Sequence, residues 1–265
     1  MAILWHHLRR ESGALIGWGV AVLALTLLMT AMYSAVHTPA TARQLQSMVH
    51  TLPPQLLQFM GGGVLVLNVG DWLAAFVLSG FTTLVVSIWL ALAAVGVIAS
   101  DADRGTLEFL LALPLRRGRL LGARSLSLLL QLLIMYALVF LAVVLGLALI
   151  HQGANDGRLV GALAYILLGQ VALAGTLVLL TLAFRDQTYA ALASITAAAV
   201  LVFVPVFVEA NSPVAFLRHL TPFDYQAAGA LMTHGTFPGS GVAIAAIWAA
   251  LAFAAAWAVF ARQEV

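Results

Sequence analysis

An all-α integral membrane bundle of six transmembrane helices is the fold class this sequence predicts, and three observations predict it. Of its 265 residues, 63% are hydrophobic and only 8% charged, whereas an ordinary soluble domain is about half apolar and about a quarter charged. The apolar residues gather in stretches too long for strands and too numerous for one core. Six of these stretches reach the roughly 20 residues that a helix needs to cross a hydrocarbon layer of about 30 Å. They lie near 14–34, 76–99, 124–150, 159–183, 188–208 and 241–261. Within lipid every backbone N–H and C=O must be satisfied inside its own segment, so each stretch folds as a helix. No internal repeat or low-complexity segment divides the chain, and residues 1–265 read as one transmembrane domain.

Taken in order, the first stretch follows Arg9 and Arg10 and precedes Ala40-Thr41-Ala42, which resembles a cleavage site. Its uncharged run from Ser12 to Ala42 is far longer than the 7–15 residues of a secretory apolar core, so it reads as a retained span. The first outer loop, 35–75, holds Pro53-Pro54, then Gln55-Leu56-Leu57-Gln58-Phe59-Met60, then Gly61-Gly62-Gly63. Proline starts helices and glycine stops them, so this is expected to be a short helix on the outer membrane face. The link 100–123 joins the second and third spans, a brief link at 184–187 joins the fourth and fifth, and a proline-bearing return at 209–240 leads to the sixth.

Six spans place both termini on one side. Arg9, Arg10, Arg104, Arg116, Arg117, Arg119, Arg124, Arg185 and Arg262 fall on that side, and Arg43, Arg158 and Arg218 on the other. By the positive-inside rule the arginine-rich side is cytoplasmic, and a multi-pass protein of a bacterial plasma (inner) membrane is expected. The chain has no lysine, and its net charge of +2 is scattered at span ends rather than gathered into a nucleic-acid-binding stripe. With no cysteine there is no disulfide framework, thiolate metal site or cysteine nucleophile. His37, His50, His151, His219 and His234 fall outside, none at the short spacing of a ligand pair, and read as solvated loop residues rather than a metal site.

Ionisable residues at mid-membrane mark ion pathways and proton relays, and the spans carry essentially none. Asp71, Asp156, Asp186, Glu209 and Asp224 sit at or beyond span ends and read as solvated termini. An ion-coupled secondary transporter is therefore disfavoured. Gln131, Gln170, Thr176, Thr181, Ser194 and Thr196 lie within spans and suit hydrogen bonding between helices. Ala246, Ala250, Ala254 and Ala258 form a small-residue face on the last span, expected to pack inside the bundle. An intramembrane serine protease would need a serine and a histidine facing each other within the spans, but Ser240 and His234 are in a loop, so no catalytic residue is assigned.

The link after the second span is the informative segment. Asp101, Arg104 and Glu108 recur at helical spacing and share one face of a helix expected over about 101–113, with Leu107, Leu110 and Leu111 on another. Pro114 ends it, and the cluster Arg116, Arg117 and Arg119 follows. A short amphipathic helix followed by arginines is a surface for lipid headgroups or for a cytosolic partner, and composition leaves both open.

At this link the chain resembles the permease subunits of type 2 ATP-binding cassette exporters. The resemblance rests on Arg104-Gly105-Thr106-Leu107-Glu108 and Leu111-Ala112-Leu113-Pro114, with Asp101 and Asp103 standing where such permeases often carry glutamates. Leu4-Trp5-His6-His7-Leu8-Arg9-Arg10-Glu11 is similar to the family's amphipathic elbow helix before the first span. Leu52-Pro53-Pro54-Gln55-Leu56-Leu57, Thr221-Pro222-Phe223 and Phe260-Ala261-Arg262-Gln263-Glu264 resemble further family features, although Gln263-Glu264 departs from the commoner basic-Asp ending.

The resemblance implies a homodimer of six-span subunits bound to two cytosolic ATPase subunits, exporting a substrate by alternating access. It assigns Asp101, Asp103, Arg104, Gly105, Thr106, Leu107, Glu108, Leu111 and Pro114 to coupling with the ATPase. Trp5, Arg9 and Arg10 of the elbow, with Arg116, Arg117 and Arg119, are assigned to the membrane surface and its lipid. A phosphate loop needs a lysine and the chain has none, so no cofactor is expected here, and ATP and Mg belong to the partner subunit. Two other classes stand beside this reading. One is an ion-coupled secondary transporter or channel, and the other a non-transporting membrane anchor or sensor, which hydrolysis by the purified complex would distinguish.

Overall fold

The computed structural model describes residues 2–36, 69–103, 105, 117–153, 156–184, 186–208, 212–224, 231–232, 235 and 239–262. These form helices α1 (Ala2–Val36), α2 (Val69–Val95), α3 (Ala99–Asp103), α4 (Arg117–Leu149), α5 (Asp156–Thr181), α6 (Gln187–Phe207) and α7 (Gly239–Arg262), with a 3₁₀ turn at Ala215–Leu220. All but α3 and the 3₁₀ turn are long and apolar enough to cross a membrane, which gives the six spans the sequence predicts. Among the described residues there is no strand. The expected elbow segment is helical and runs into the first span without a break, since Ala2–Val36 is one helix. The expected short helix at 53–63 lies outside the described residues.

The bundle is packed from the middle of the chain outward. Most of the apolar window of α2 and of α5 is buried, whereas α1, α6 and α7 are largely exposed and form the rim. Leu73, Leu90, Leu132, Met135, Leu173 and Leu177 are fully buried at the centre. Where small residues occur, helices close up. A methyl group added at Gly146 of α4 would stand 2.7 Å from Thr30 of α1, and one at Gly175 of α5 would stand 2.9 Å from Ala252 of α7. With no hydrophobic drive between helices in lipid, such close backbone approach supplies the van der Waals contact that holds them together.

The alanine face expected to pack on α7 does not do so. Ala246, Ala250 and Ala254 are exposed and Ala258 is partly exposed, while Gly241, Ala245, Ala249, Ala252, Ala256 and Phe260 point inward. Alanine occupies so much of this helix that spacing alone marks several faces. The bulky Phe253 and Phe260, which must find room against α5 and the core, select among them.

Helix α2 is interrupted. Leu73–Phe81 is wound as a π-helix, and Gly80 leaves the helical region at φ −96° and ψ −105°. Wide winding is where helices yield to a local insertion, and the Thr83 hydroxyl donates to the Leu78 carbonyl at 2.6 Å across the disturbed turn.

Contacts between elements sort the helix ends into two sets. At one end Glu11 of α1 lies over Gly96 at the close of α2, Gly118 of α4 is covered by Trp257 of α7, and Val95 and Ala99 pack on Ala190 of α6 beside Phe184. At the other end Trp72 donates its indole N–H to the Met29 carbonyl at 2.8 Å, and Thr221 donates to the Leu201 carbonyl at 2.6 Å. The entry of α1, the link between α2 and α4, the link between α5 and α6, and the exit of α7 therefore share one end of the bundle.

Candidate functional site

The shared end is built around a corner between α2, α3 and α4. Helix α2 closes at Val95, a turn through Gly96 and Val97 follows, and α3 begins at Ala99 with Asp101 in its first turn. Arg124, two turns into α4, reaches back over this turn. One guanidinium nitrogen donates to the Val97 carbonyl at 2.6 Å and the other lies 2.5 Å from the Asp101 carboxylate. Both side chains are almost wholly buried, at 6% and 2% exposure. Burial of charge is tolerated only with pairing, and a planar fork can satisfy a carbonyl and a carboxylate at once. Leu120 and Leu121, one turn before Arg124, are buried in the core and seat the start of α4.

This geometry turns Asp101 inward. Its spacing to Arg104 and Glu108 suggests one charged docking face, but α3 stops at Asp103 and Gly105 stands in the left-handed region at φ 66°. That conformation suits glycine and interrupts a right-handed helix. Asp101 thus faces inward to Arg124. Asp103 is exposed at the end of α3, and Gly105 is exposed in the turn. Arg104, Thr106, Leu107, Glu108, Leu111, Pro114 and Arg116 lie outside the described residues. Arg117 opens α4 and Arg119 is exposed on its first turn. Trp5, Arg9 and Arg10 fall on the first turns of α1, their side chains outside the description. Arg124 itself, which sequence reasoning counts only as one more arginine on the charged side, is the partner it misses. A buried-position signal was available in the apolar residues that flank it, Leu121 and Leu128.

The span-borne polar residues divide. Gln170 of α5, fully buried, donates to Ser87 Oγ at 2.8 Å and to the Thr83 carbonyl at 3.2 Å, joining α5 to α2. Trp248 of α7 donates to Thr176 Oγ1 of α5 at 3.0 Å. Gln131 and Thr181 bond within their own helices, to Ser127 and to the Val178 carbonyl. Ser194 is buried and Thr196 exposed. Interhelical hydrogen bonding is thus realised by Gln170 and Thr176, whose partners lie on other spans.

At the opposite end, two acidic residues expected to be solvated are not. Asp71 is 5% exposed in the first turn of α2, where unpaired N–H groups favour a carboxylate. Asp224 is paired with Arg218 at 2.7 Å and lies 3.3 Å from the exposed His219. Asp156 and Asp186 are exposed as expected, and Asp186 caps α6 by accepting from the backbone of Thr188 and Tyr189. Glu209 lies outside the described residues. Among the described residues no three His, Asp or Glu side chains converge as a metal site would require.

The family model described as ABC-2 family transporter protein matches residues 1–265. No curated protein matches at a significant level.

Proposed function

Since this chain belongs to the ABC-2 family of transporter proteins, we propose that it is the membrane-spanning subunit of an ATP-driven exporter, with hydrolysis carried out by a separate cytosolic subunit. A multi-pass membrane permease follows from the family and the six apolar helices. The outward direction, the ATPase with its ATP and Mg, the two-plus-two stoichiometry and the bacterial inner membrane are parts of the proposal.

The observation that carries it is the convergence of helix ends. The start of the first span, the corner between α2, α3 and α4, the link from α5 to α6 and the end of α7 meet on one face. A protein pushing on that face would touch every span pair at once. The arginine-rich segments belong to this same end, so the positive-inside rule makes it cytoplasmic, where an ATPase has access. Asp103 and Gly105 are exposed there and open the segment through Pro114 that would contact the partner. Asp101, being buried, belongs to the support rather than to the contact.

The test is co-purification of an ATPase subunit with this chain from membranes, followed by hydrolysis in lipid. Glu108→Arg is expected to weaken association or separate hydrolysis from transport, because a charge pair buried at an interface commonly costs about 2–5 kcal/mol when one partner is lost. Unchanged assembly and hydrolysis in Glu108→Arg and Arg104→Glu would reduce the segment to a lipid-surface element. Reporter fusions that placed Ala102 or Arg262 outside the cell would overturn the orientation, and a single copy of the chain in the native complex would overturn the homodimer.

A further inference from the structure

We infer that Arg124 and Asp101 form the joint through which movement at the cytosolic face reaches the spans. Arg124 is then a positioning residue of transport, acting through the elements it binds. This rests on the coupling function just proposed and names the residues that carry it.

The joint is defined by what the two guanidinium arms hold. One grips the Val97 carbonyl, in the turn that follows the second span, and the other faces the Asp101 carboxylate, on α3. The arginine itself belongs to the third span. Three elements therefore meet at one planar group, through a hydrogen bond to the Val97 carbonyl and a buried ion pair with Asp101, so a displacement of α3 pulls on α4. The same short helix leans on a fourth element, because its Ala99, together with Val95 of α2, packs against Ala190 at the start of α6. Glu11, where α1 enters the bundle, lies over Gly96 in the turn between. Displacement of α3 is thereby delivered to both the inner and the rim helices.

An alternative role for the pair is simple stabilisation, and physical chemistry separates the two. A buried ion pair replaced on both sides by apolar side chains of similar size commonly leaves a protein as stable as before. Apolar contact is non-directional, however, and cannot hold a carbonyl and a helix in fixed orientation. Asp101→Leu combined with Arg124→Met should preserve the fold and assembly while abolishing transmission.

The experiment uses the full chain in complex with the ATPase subunit that co-purifies with it. The chain has no cysteine, so spin labels can be placed at Leu149→Cys and Phe207→Cys, two exposed positions at the far ends of α4 and α6. The distance between them is measured by pulsed electron resonance without nucleotide and with ATP trapped by vanadate. In the otherwise unaltered chain the distance distribution is expected to shift on trapping. In the double variant hydrolysis should persist and the shift be lost, and the exchange of Asp101→Arg with Arg124→Asp should restore part of it.

If the double variant assembles and shifts like the parent, the joint is overturned. Should the double variant fail to assemble, Arg124→Lys decides on the same terms. It keeps the charge but not the fork, and a full shift there would overturn the proposal equally. If no ATPase co-purifies, or the parent shows no shift on trapping, the coupling function itself falls, which is a distinct outcome.

Discussion

Gln170, near the middle of α5, and Ser87 of α2 clamp two buried spans together, with the amide nitrogen of the first 2.8 Å from the hydroxyl of the second. The same amide reaches the Thr83 carbonyl, so one side chain of α5 holds two points on α2 just beyond its interrupted turn. Interhelical hydrogen bonds in membranes are each worth about 0.6–2 kcal/mol. Gln170→Leu is therefore expected to destabilise the bundle by about 1–2 kcal/mol. Gln131→Leu should cost little, because its bond to Ser127 lies within one helix and is long at 3.4 Å. Thermal unfolding of both variants in detergent micelles checks the contrast, and equal losses would show that the clamp is not interhelical in effect.

Glycine substitutions in α4 should split by position. A methyl group at Gly146 would meet Thr30 of α1 at 2.7 Å, but one at Gly122 would meet nothing within 4 Å. Overpacking costs about 1–3 kcal/mol, whereas alanine for glycine in an open helical position gains about 1 kcal/mol. Gly146→Ala is expected to lower the unfolding temperature and Gly122→Ala to hold or raise it. A matched response of the two would contradict the close approach of α1 to α4.

The orientation of α7 can be read in the same way. Ala252→Leu drives a branched side chain into the contact with Gly175 and should destabilise by about 1–3 kcal/mol. Ala250→Leu, on the exposed face, should leave the subunit's own unfolding unchanged. Should Ala250→Leu unfold the subunit and Ala252→Leu not, the helix would be turned the other way.

At the end opposite the Arg124 corner, Asp224→Ala removes the carboxylate from Arg218, whose side chain is 17% exposed. Partly buried pairs sit between the near-zero value of exposed ones and the 3–5 kcal/mol of breaking buried ones, so about 1–2 kcal/mol is expected. The local effect is measurable as faster proteolysis of the return at 209–240. His219→Ala, touching the same carboxylate from an exposed position, should have much less effect.

What the sequence makes legible follows from where the determining forces act. The six spans were readable because lipid permits only self-satisfied backbone, so about 20 apolar residues suffice to specify each helix. Grouping Asp101 with Arg104 and Glu108 assumes one continuous helix, whereas Asp101 is buried and a left-handed Gly105 follows α3. The actual partner, Arg124, stands at no helical spacing from Asp101 and is reached only after the chain turns back. Choosing the packed face of α7 failed because an alanine-rich helix offers too many equivalent stripes. Gln170 and Thr176 were identifiable as interhelical donors or acceptors from their depth alone, but their partners Ser87 and Trp248 are set by helix rotation, which composition does not encode.

The Arg124 joint also bears on the order in which the protein is made. Its three attachment points, Val97, Asp101 and Arg124, lie within one hairpin, so the charge of Arg124 meets its acid as soon as the second and third spans have entered the bilayer. The Gln170 clamp has to wait for the fourth. The second and third spans thus hold a matched charge pair between them that needs nothing from the later helices.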